Sequence, residues 1–466
     1  MGVAISHWLL AKTVSQAGQL GVVSGTCLDN ILIRRLQDGD PEGHMRRALS
    51  RFPEPAIARK IVMKYFREGG LPPGKEYALA PMFSLKPPLE LLELTVAANF
   101  VEVFLAKEGH EGVVGINYLE KIQAPLLASL YGALLAEVDY VCVGAGIPRA
   151  IPGILDKLAN HEPVSMPLFV VGSKPEDDFR LKFDPAQILK GFKPRLKRPF
   201  FIAIVASNVL AVNLAKKSSG RVDGFVVEGP LAGGHNAPPR GSLKLDEKGE
   251  PVYGPRDEVD LEEIRALGLP FWVAGSMADP EKLEYALKKG ACGIQVGTAF
   301  AFCRESGMEE GLKASLLKKA AHKDVSVFTD PNASPTGFPF KIVQMKGTLS
   351  EQSVYDERPR ICDLGYLRTA FRREDGSVGF RCPGEPVSTY LQKGGKIEDT
   401  PGRRCLCNSL HANVGMGQTQ KNGFKESCLV TAGDDLIRIG RFLKDTFANY
   451  SALDVIRYLL STQAVA

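Results

Sequence analysis

The segment from Glu228 to Gly241, Glu-Gly-Pro-Leu-Ala-Gly-Gly-His-Asn-Ala-Pro-Pro-Arg-Gly, gathers the side chains best suited to do chemistry. Gly233 and Gly234 free the backbone just past an apolar run, and His235 follows them directly. The Asn-Ala-Pro-Pro that comes next cannot extend a helix, so the histidine stays on a loop. An imidazole in such a place can give or take a proton near neutral pH. The plainer reading is a structural histidine bonded to a loop carbonyl. Among the other six of the seven histidines, His110 is the reserve candidate, because it follows the apolar run 100–109.

Two further tips complement it. Ala-Gly-Ser at 274–276 and Gln-Val-Gly-Thr at 295–298 each end a short apolar run. Each offers unobstructed backbone N–H groups, plus a hydroxyl from Ser276 or Thr298. Two such tips on neighbouring strands form a nest for a phosphate group. Asn117 closes the run Gly-Val-Val-Gly-Ile-Asn-Tyr-Leu (112–119) as another polar strand tip. Three weaker patterns carry less. Gly-Gly-Leu-Pro-Pro-Gly-Lys-Glu (69–76) has phosphate-loop spacing, but two prolines remove donors and no Ser/Thr follows the lysine, so it reads as a surface turn. Gly-Ala-Gly-Ile-Pro-Arg-Ala (144–150) lacks the third glycine of a dinucleotide loop and reads as a strand tip that a ligand can approach closely. Among Cys362, Cys382, Cys405, Cys407 and Cys428 only Cys405 and Cys407 are close, as C-x-C, so no metal site is expected.

These tips need elements to hold them. The runs 20–25, 100–109, 112–119, 139–146, 199–207, 223–229, 270–276 and 292–300 read as strands, most of them continuously apolar, as parallel strands buried on both faces are. Helical periods lie between them at 88–99, 124–137, 209–218 and 280–289. This alternation over some 300 residues means an α/β fold. A doubly wound sheet would use mainly its switch point, whereas polar or glycine-rich tips end nearly every strand here, so a TIM (β/α)8 barrel is expected. From Thr329 the texture changes to a turn-rich linker, then to a stretch that holds five of the nine cysteines and many arginines. The expected organisation is a barrel at 1–330, an irregular extension or cap at 331–433, and C-terminal helices packing on the barrel at 434–466.

Composition narrows the class. With 44% hydrophobic and 24% charged residues the chain is neither disordered nor fibrous. The net charge of +5 is thin over 466 residues, so nucleic acid is not expected as a partner. No apolar run reaches the length of a membrane span, and the odd cysteine count suits a reducing, cytoplasmic setting. The opening Met-Gly-Val-Ala-Ile-Ser fits a short myristoylation pattern, which the reading of Gly2 below displaces.

Taken in order, Gly-Ile-Asn-Tyr-Leu, Glu-Gly-Pro-Leu-Ala-Gly-Gly-His, Phe-Trp-Val-Ala-Gly-Ser and Gly-Ile-Gln-Val-Gly-Thr resemble the flavin-dependent nitronate monooxygenases, also called 2-nitropropane dioxygenases, and their relatives the FMN-dependent enoyl-ACP reductases. The resemblance covers about residues 1–330. It implies an FMN-binding TIM barrel, with Met1 and Gly2 beside the flavin, Asn117 contacting it and His235 over its ring. Gly275, Ser276, Gln295, Val296, Gly297 and Thr298 would cradle the phosphate, while Glu228 and Gly234 complete the cofactor's surroundings. The first barrel strand is expected to be truncated, since relatives have completed a strand before the position of Met1. The implied activity is oxidation of alkyl nitronates with oxygen to a carbonyl compound and nitrite. The alternative is an NAD(P)H-dependent enoyl-thioester reductase, for which Lys193-Pro-Arg-Leu-Lys-Arg198 could attract an acidic carrier protein. A flavoprotein module whose extension binds a partner protein is a third reading. The expected partner is a small-molecule substrate, with no membrane; a homo-oligomer stays open.

Overall fold

The computed structural model describes residues 2–191, 193–443 and 449–461. Its centre is one curled, all-parallel sheet of seven strands in chain order. They are β1 (Gly21–Ser24), β2 (Val114–Leu119), β3 (Tyr140–Gly144), β4 (Phe200–Val205), β5 (Gly224–Glu228), β6 (Phe271–Ala274) and β7 (Gly293–Gln295). Each pairs in parallel with the next, and helices carry the crossovers, which is the TIM-barrel architecture. Side chains alternate across the sheet. Val23, Ile116, Val141, Phe201, Phe225 and Phe271 face outward into the main core beneath the helices. Cys142, Ile202, Val226 and Ala274, with Trp272 against them, fill the inside of the curl. Both faces are thus apolar, which is why the strands read as unbroken runs.

Two expectations change. The run 100–109 is not a strand: it is mostly the C-terminal half of the helix Leu89–Lys107. That helix is buried almost all round, from Leu91 to Ala106, so its second half lacks the polar face that would have continued the helical period read at 88–99. It packs so closely on the helix Gln123–Leu135 that a Cβ at Gly132 would lie 2.2 Å from the Val96 carbonyl oxygen. The second change is at the barrel seam. Among the described residues no strand lies between β7 and β1. The chain there turns instead, with Ala4 in the left-handed region at φ 50°. Ser24 N–H donates to Ser6 O at 2.8 Å, and Ser6 Oγ donates to Val22 O at 2.6 Å. The turn and the helix Trp8–Gln16 thus lie along the free edge of β1.

Past β7, an antiparallel pair, Val327–Asp330 with Phe340–Val343, spans residues 330 and 331. A second pair, Thr369–Arg372 with Val378–Arg381, takes up Val170–Val171 as a third strand. Leu436, Ile439, Phe442, Val455 and Leu459 then pack with Leu10, Val14 and Leu316 beside the seam. Among the described residues no helix is long and apolar enough to cross a membrane.

Candidate functional site

The C-terminal ends of the strands converge on a chamber lined by Gly2, Asn117, Gly144, Glu228, His235 and Gln295, with Tyr366, Leu406 and Cys407 of the extension closing it. Inward-facing positions of β2, β5 and β7 place Asn117, Glu228 and Gln295 there. The chamber shares Gly2, Glu228, Gly233, Gly234, Gln295 and Thr431 with a larger space of about 470 Å³. That space runs through the curl of the sheet to Gly275, Ser276, Val296, Gly297 and Thr298. The sequence-derived residues from Gly2 onward therefore line two adjoining spaces. Met1 lies outside the described residues.

His235 is held from several sides. A Cβ at Gly233 would come within 2.6 Å of Gly433 N, so the loop after β5 lies directly against backbone 432–433. Gly234, at φ 83°, donates its N–H to Thr431 Oγ1 at 2.9 Å and accepts from Lys341 N–H at 2.9 Å. His235 Nε2 meets Ser334 Oγ at 2.7 Å, and its ring stands edge-on to Phe340, 4.8 Å between centroids. Burial, reinforced by the charge of Lys121, holds its pKa well below the ordinary 6.5. The imidazole is neutral at physiological pH.

Lys121, just past β2, carries the least expected feature. Its Nζ is buried with no hydrogen-bond partner among the described residues. It lies 4.1 Å from the centroid of the Phe338 ring. Burial pushes its pKa down to about 7, against the opposing pull of the Glu228 carboxylate. Glu228 moves the other way: burial raises its pKa, and Lys121 restrains the rise. Behind the chamber wall, a cation-competent amine is thus coupled to the proton-competent Glu228 carboxyl and to the neutral histidine that line it.

The phosphate-sized tips are shaped as their sequences suggested. Gly275 takes φ 102° and Ser276 φ 51°, so the chain turns sharply after β6. A Cβ at Gly297 would meet nothing within 4 Å, which leaves open space over its backbone. The hydroxyls are partly engaged: Ser276 Oγ donates to Leu231 O at 3.2 Å, and Thr298 Oγ1 accepts from Gly433 N–H at 2.9 Å. Lys282 Nζ donates to Ser276 O at 2.5 Å and puts a positive charge at this end. Open backbone, a left-handed turn and a nearby ammonium fit a phosphate monoester. The elongated cavity fits a cofactor that carries one.

His110 falls away as the reserve. Because 100–109 is not a strand, His110 precedes β2 and sits at the opposite end of the sheet, bonded to Ala106 O at 2.6 Å and to Gly112 N–H at 3.0 Å. Sequence reasoning missed Lys121, Ser334, Phe338 and Thr431. Lys121 lies four residues beyond Asn117, at a strand tip already singled out. The other three lie in segments that carried no strand–helix rhythm. Among the described residues no group of three or more His, Cys, Asp or Glu could hold a metal ion. The thiols of Cys27 and Cys407 line the chamber, and burial raises the pKa of both, so they stay protonated.

The family model for nitronate monooxygenase matches residues 195–333, which hold β4 to β7 and the His235 loop. The putative nitronate monooxygenase of Saccharomyces cerevisiae is 31% identical over 186 residues, 37% of this chain and 42% of that protein. The nitronate monooxygenase of Pseudomonas aeruginosa is 32% identical over 117 residues, 25% of this chain and 32% of that one. The matched segments thus span less than half the length of these relatives. Among solved structures, FabK from Thermotoga maritima aligns over 100% of this chain and 92% of its own, at 14% identity and a TM-score of 0.49. Nitroalkane oxidase from Streptomyces ansochromogenes aligns over 100% and 94%, with the same identity and score.

Proposed function

We propose that the chain, whose residues 195–333 match the nitronate monooxygenase family model, is an FMN-dependent oxidoreductase that oxidises alkyl nitronates with oxygen to a carbonyl compound and nitrite. The observation that carries this reading is the pair of adjoining spaces, sharing Gly2, Glu228 and Gln295, that link His235 and Asn117 to the turn at Gly275 and the open backbone of Gly297. The backbone of Gly275–Ser276 and of Gln295, Val296, Gly297 and Thr298 would hold the FMN phosphate, with Lys282 as its counter-charge. Gly2, Asn117, Glu228 and Gly234 would surround the ring. Bound there, FMN supplies the electron acceptor for the substrate and the centre at which oxygen is reduced.

The chain's own groups then divide the work. The protonated form of Lys121 attracts an anionic nitronate into a chamber of low dielectric, where that charge counts for more than in water. Neutral His235 can take a proton from a nitroalkane that enters un-ionised. In the tautomer that donates Nε2–H to Ser334 Oγ, Nδ1 is the basic nitrogen. Ser334 is itself fixed, since its Oγ meets Thr336 Oγ1 at 2.8 Å. Tyr366, Leu406 and Phe340 keep bulk water away from this exchange.

The test is direct. Purified protein is heated and the released cofactor chromatographed; FMN is expected. The holoenzyme is then given a nitronate and oxygen, and nitrite and oxygen consumption are measured. A colourless protein that takes up no FMN, or FAD in its place, overturns the cofactor assignment. Reduction of crotonyl-CoA by NADPH without nitronate turnover would instead assign enoyl-thioester reduction to the same cavity.

A further inference from the structure

A separate cavity of about 250 Å³ lies within the extension and shares no lining residue with the chamber around His235. Four arginines line it, Arg358, Arg360, Arg403 and Arg404, against one carboxylate, Asp356. Two of the four are neutralised from behind. Arg358 pairs with Glu426 at 2.8 Å, and Arg404 pairs with Asp330 at 2.9 Å. The other two have no carboxylate partner among the described residues. Arg360 donates to Pro383 O at 2.9 Å, to Thr400 O at 2.7 Å and to Tyr355 Oη at 3.0 Å. Arg403 donates to Asp399 O at 3.0 Å, to Asn332 O at 2.8 Å and to Ser334 O at 2.7 Å.

Neutral carbonyls thus hold two guanidinium groups in place without cancelling their charge. Arg360 Nε, Arg403 Nη2 and Arg404 Nη2 have no acceptor among the described residues. Two uncancelled guanidinium charges against the single Asp356 carboxylate leave the space net positive, which favours an anion there. Rigid planar forks with spare donors match the oxygens of phosphate better than they match water. We propose that this pocket binds the phosphate group of a phosphorylated small molecule. The inference is independent of the flavin reading. It also places the ligand one loop from His235, since Arg403 holds the carbonyl of the same Ser334 whose hydroxyl meets the histidine.

Inorganic pyrophosphate is the probe, titrated calorimetrically into the full chain at low ionic strength, with and without excess FMN. One binding event is expected that weakens as salt rises. Arg360→Met and Arg403→Met should each weaken that event about tenfold or more, with circular dichroism unchanged. Asp356→Asn removes the only lining carboxylate from an exposed position and should tighten it. This arm keeps the test decisive if an arginine variant fails to fold. Competition then separates the sources: displacement by NADPH or coenzyme A marks a nucleotide ligand, and displacement by orthophosphate alone marks the free anion. No binding by the parent chain at millimolar pyrophosphate overturns the proposal. So does a binding event that the folded arginine variants and Asp356→Asn leave unmoved.

Discussion

Replacing Lys121 by Met tests whether the chamber is built around a reluctant cation. Methionine keeps the length and apolar stem but removes the charge, and Nζ gives up no hydrogen bond, because it has none among the described residues. In the unfolded chain this amine titrates near its ordinary 10.5; in the fold burial brings it to about 7. Above pH 10.5 it is neutral in both states, and the lysine costs nothing. As pH falls from 10.5 to 7 the unfolded chain binds a proton that the folded chain refuses, so stability drops. Below 7 both states are protonated and the full penalty stands. The gap between the two values, at about 1.36 kcal/mol per pH unit, sets a ceiling of about 5 kcal/mol. The pull of Glu228 is already contained in that gap; contact with the Phe338 face and local relaxation return part of it, leaving an expected gain of about 2–4 kcal/mol for Lys121→Met at pH 6. Urea denaturation of both proteins at pH 6, 7.5 and 9.5 measures this directly. The gain should shrink steadily with rising pH and vanish near 10.5. A variant less stable than its parent at pH 6, or a difference that ignores pH, would refute the buried-cation account. The same variant should raise KM for an anionic nitronate more than it lowers kcat.

His235→Asn should keep FMN and lose turnover of neutral nitroalkanes by roughly 10²–10⁴-fold, with a smaller loss on preformed nitronates whose proton is already gone; equal rates on both would mark the histidine as structural. Gly233→Ala should destabilise the fold and release cofactor, because its Cβ would meet backbone N of Gly433 at 2.6 Å and neither loop can yield by a side-chain movement; thermal melting with and without FMN reads this out. Glu426→Ala strands Arg358 in a buried site and should cost about 3–5 kcal/mol in urea denaturation, whereas combining Arg358→Met with Glu426→Leu should recover most of that loss.

The barrel was legible because its strands leave two independent marks, an apolar run and a polar or glycine tip. Both marks come from burial on two faces with one end open to the cavity. The helix Leu89–Lys107 leaves a weaker mark: buried nearly on every side, it has no solvent face, and its largely apolar second half passes for a strand. That error carried His110 to the wrong end of the sheet. The site residues from β2, β5 and β7 were readable from local sequence because strand alternation fixes which side chains face inward. Lys121 was not, since its meaning depends on Glu228, Phe338 and His235, which come from distant segments. Likewise the linker-like Thr329–Phe340 gave no sign that Ser334 would bond the histidine.

The extension therefore does more than cover a finished barrel. Strand β5 and its loop deliver His235 to the mouth, but the groups that fix its protonation state come from further along the chain. Ser334 meets one ring nitrogen, Phe340 stands against the ring, Thr431 holds the preceding amide, and Phe338 lies under the Lys121 ammonium. Without them His235 would lose its hydroxyl partner and the ring against it, and the Lys121 ammonium would lose its aromatic neighbour. The strands supply position, and residues beyond 330 supply the low dielectric in which a neutral imidazole and a half-protonated amine can coexist. Changes confined to the extension, such as Ser334→Ala, should accordingly shift the pH profile of turnover without removing any group that the barrel itself provides. A profile identical to the parent's would show that the barrel alone sets the chemistry.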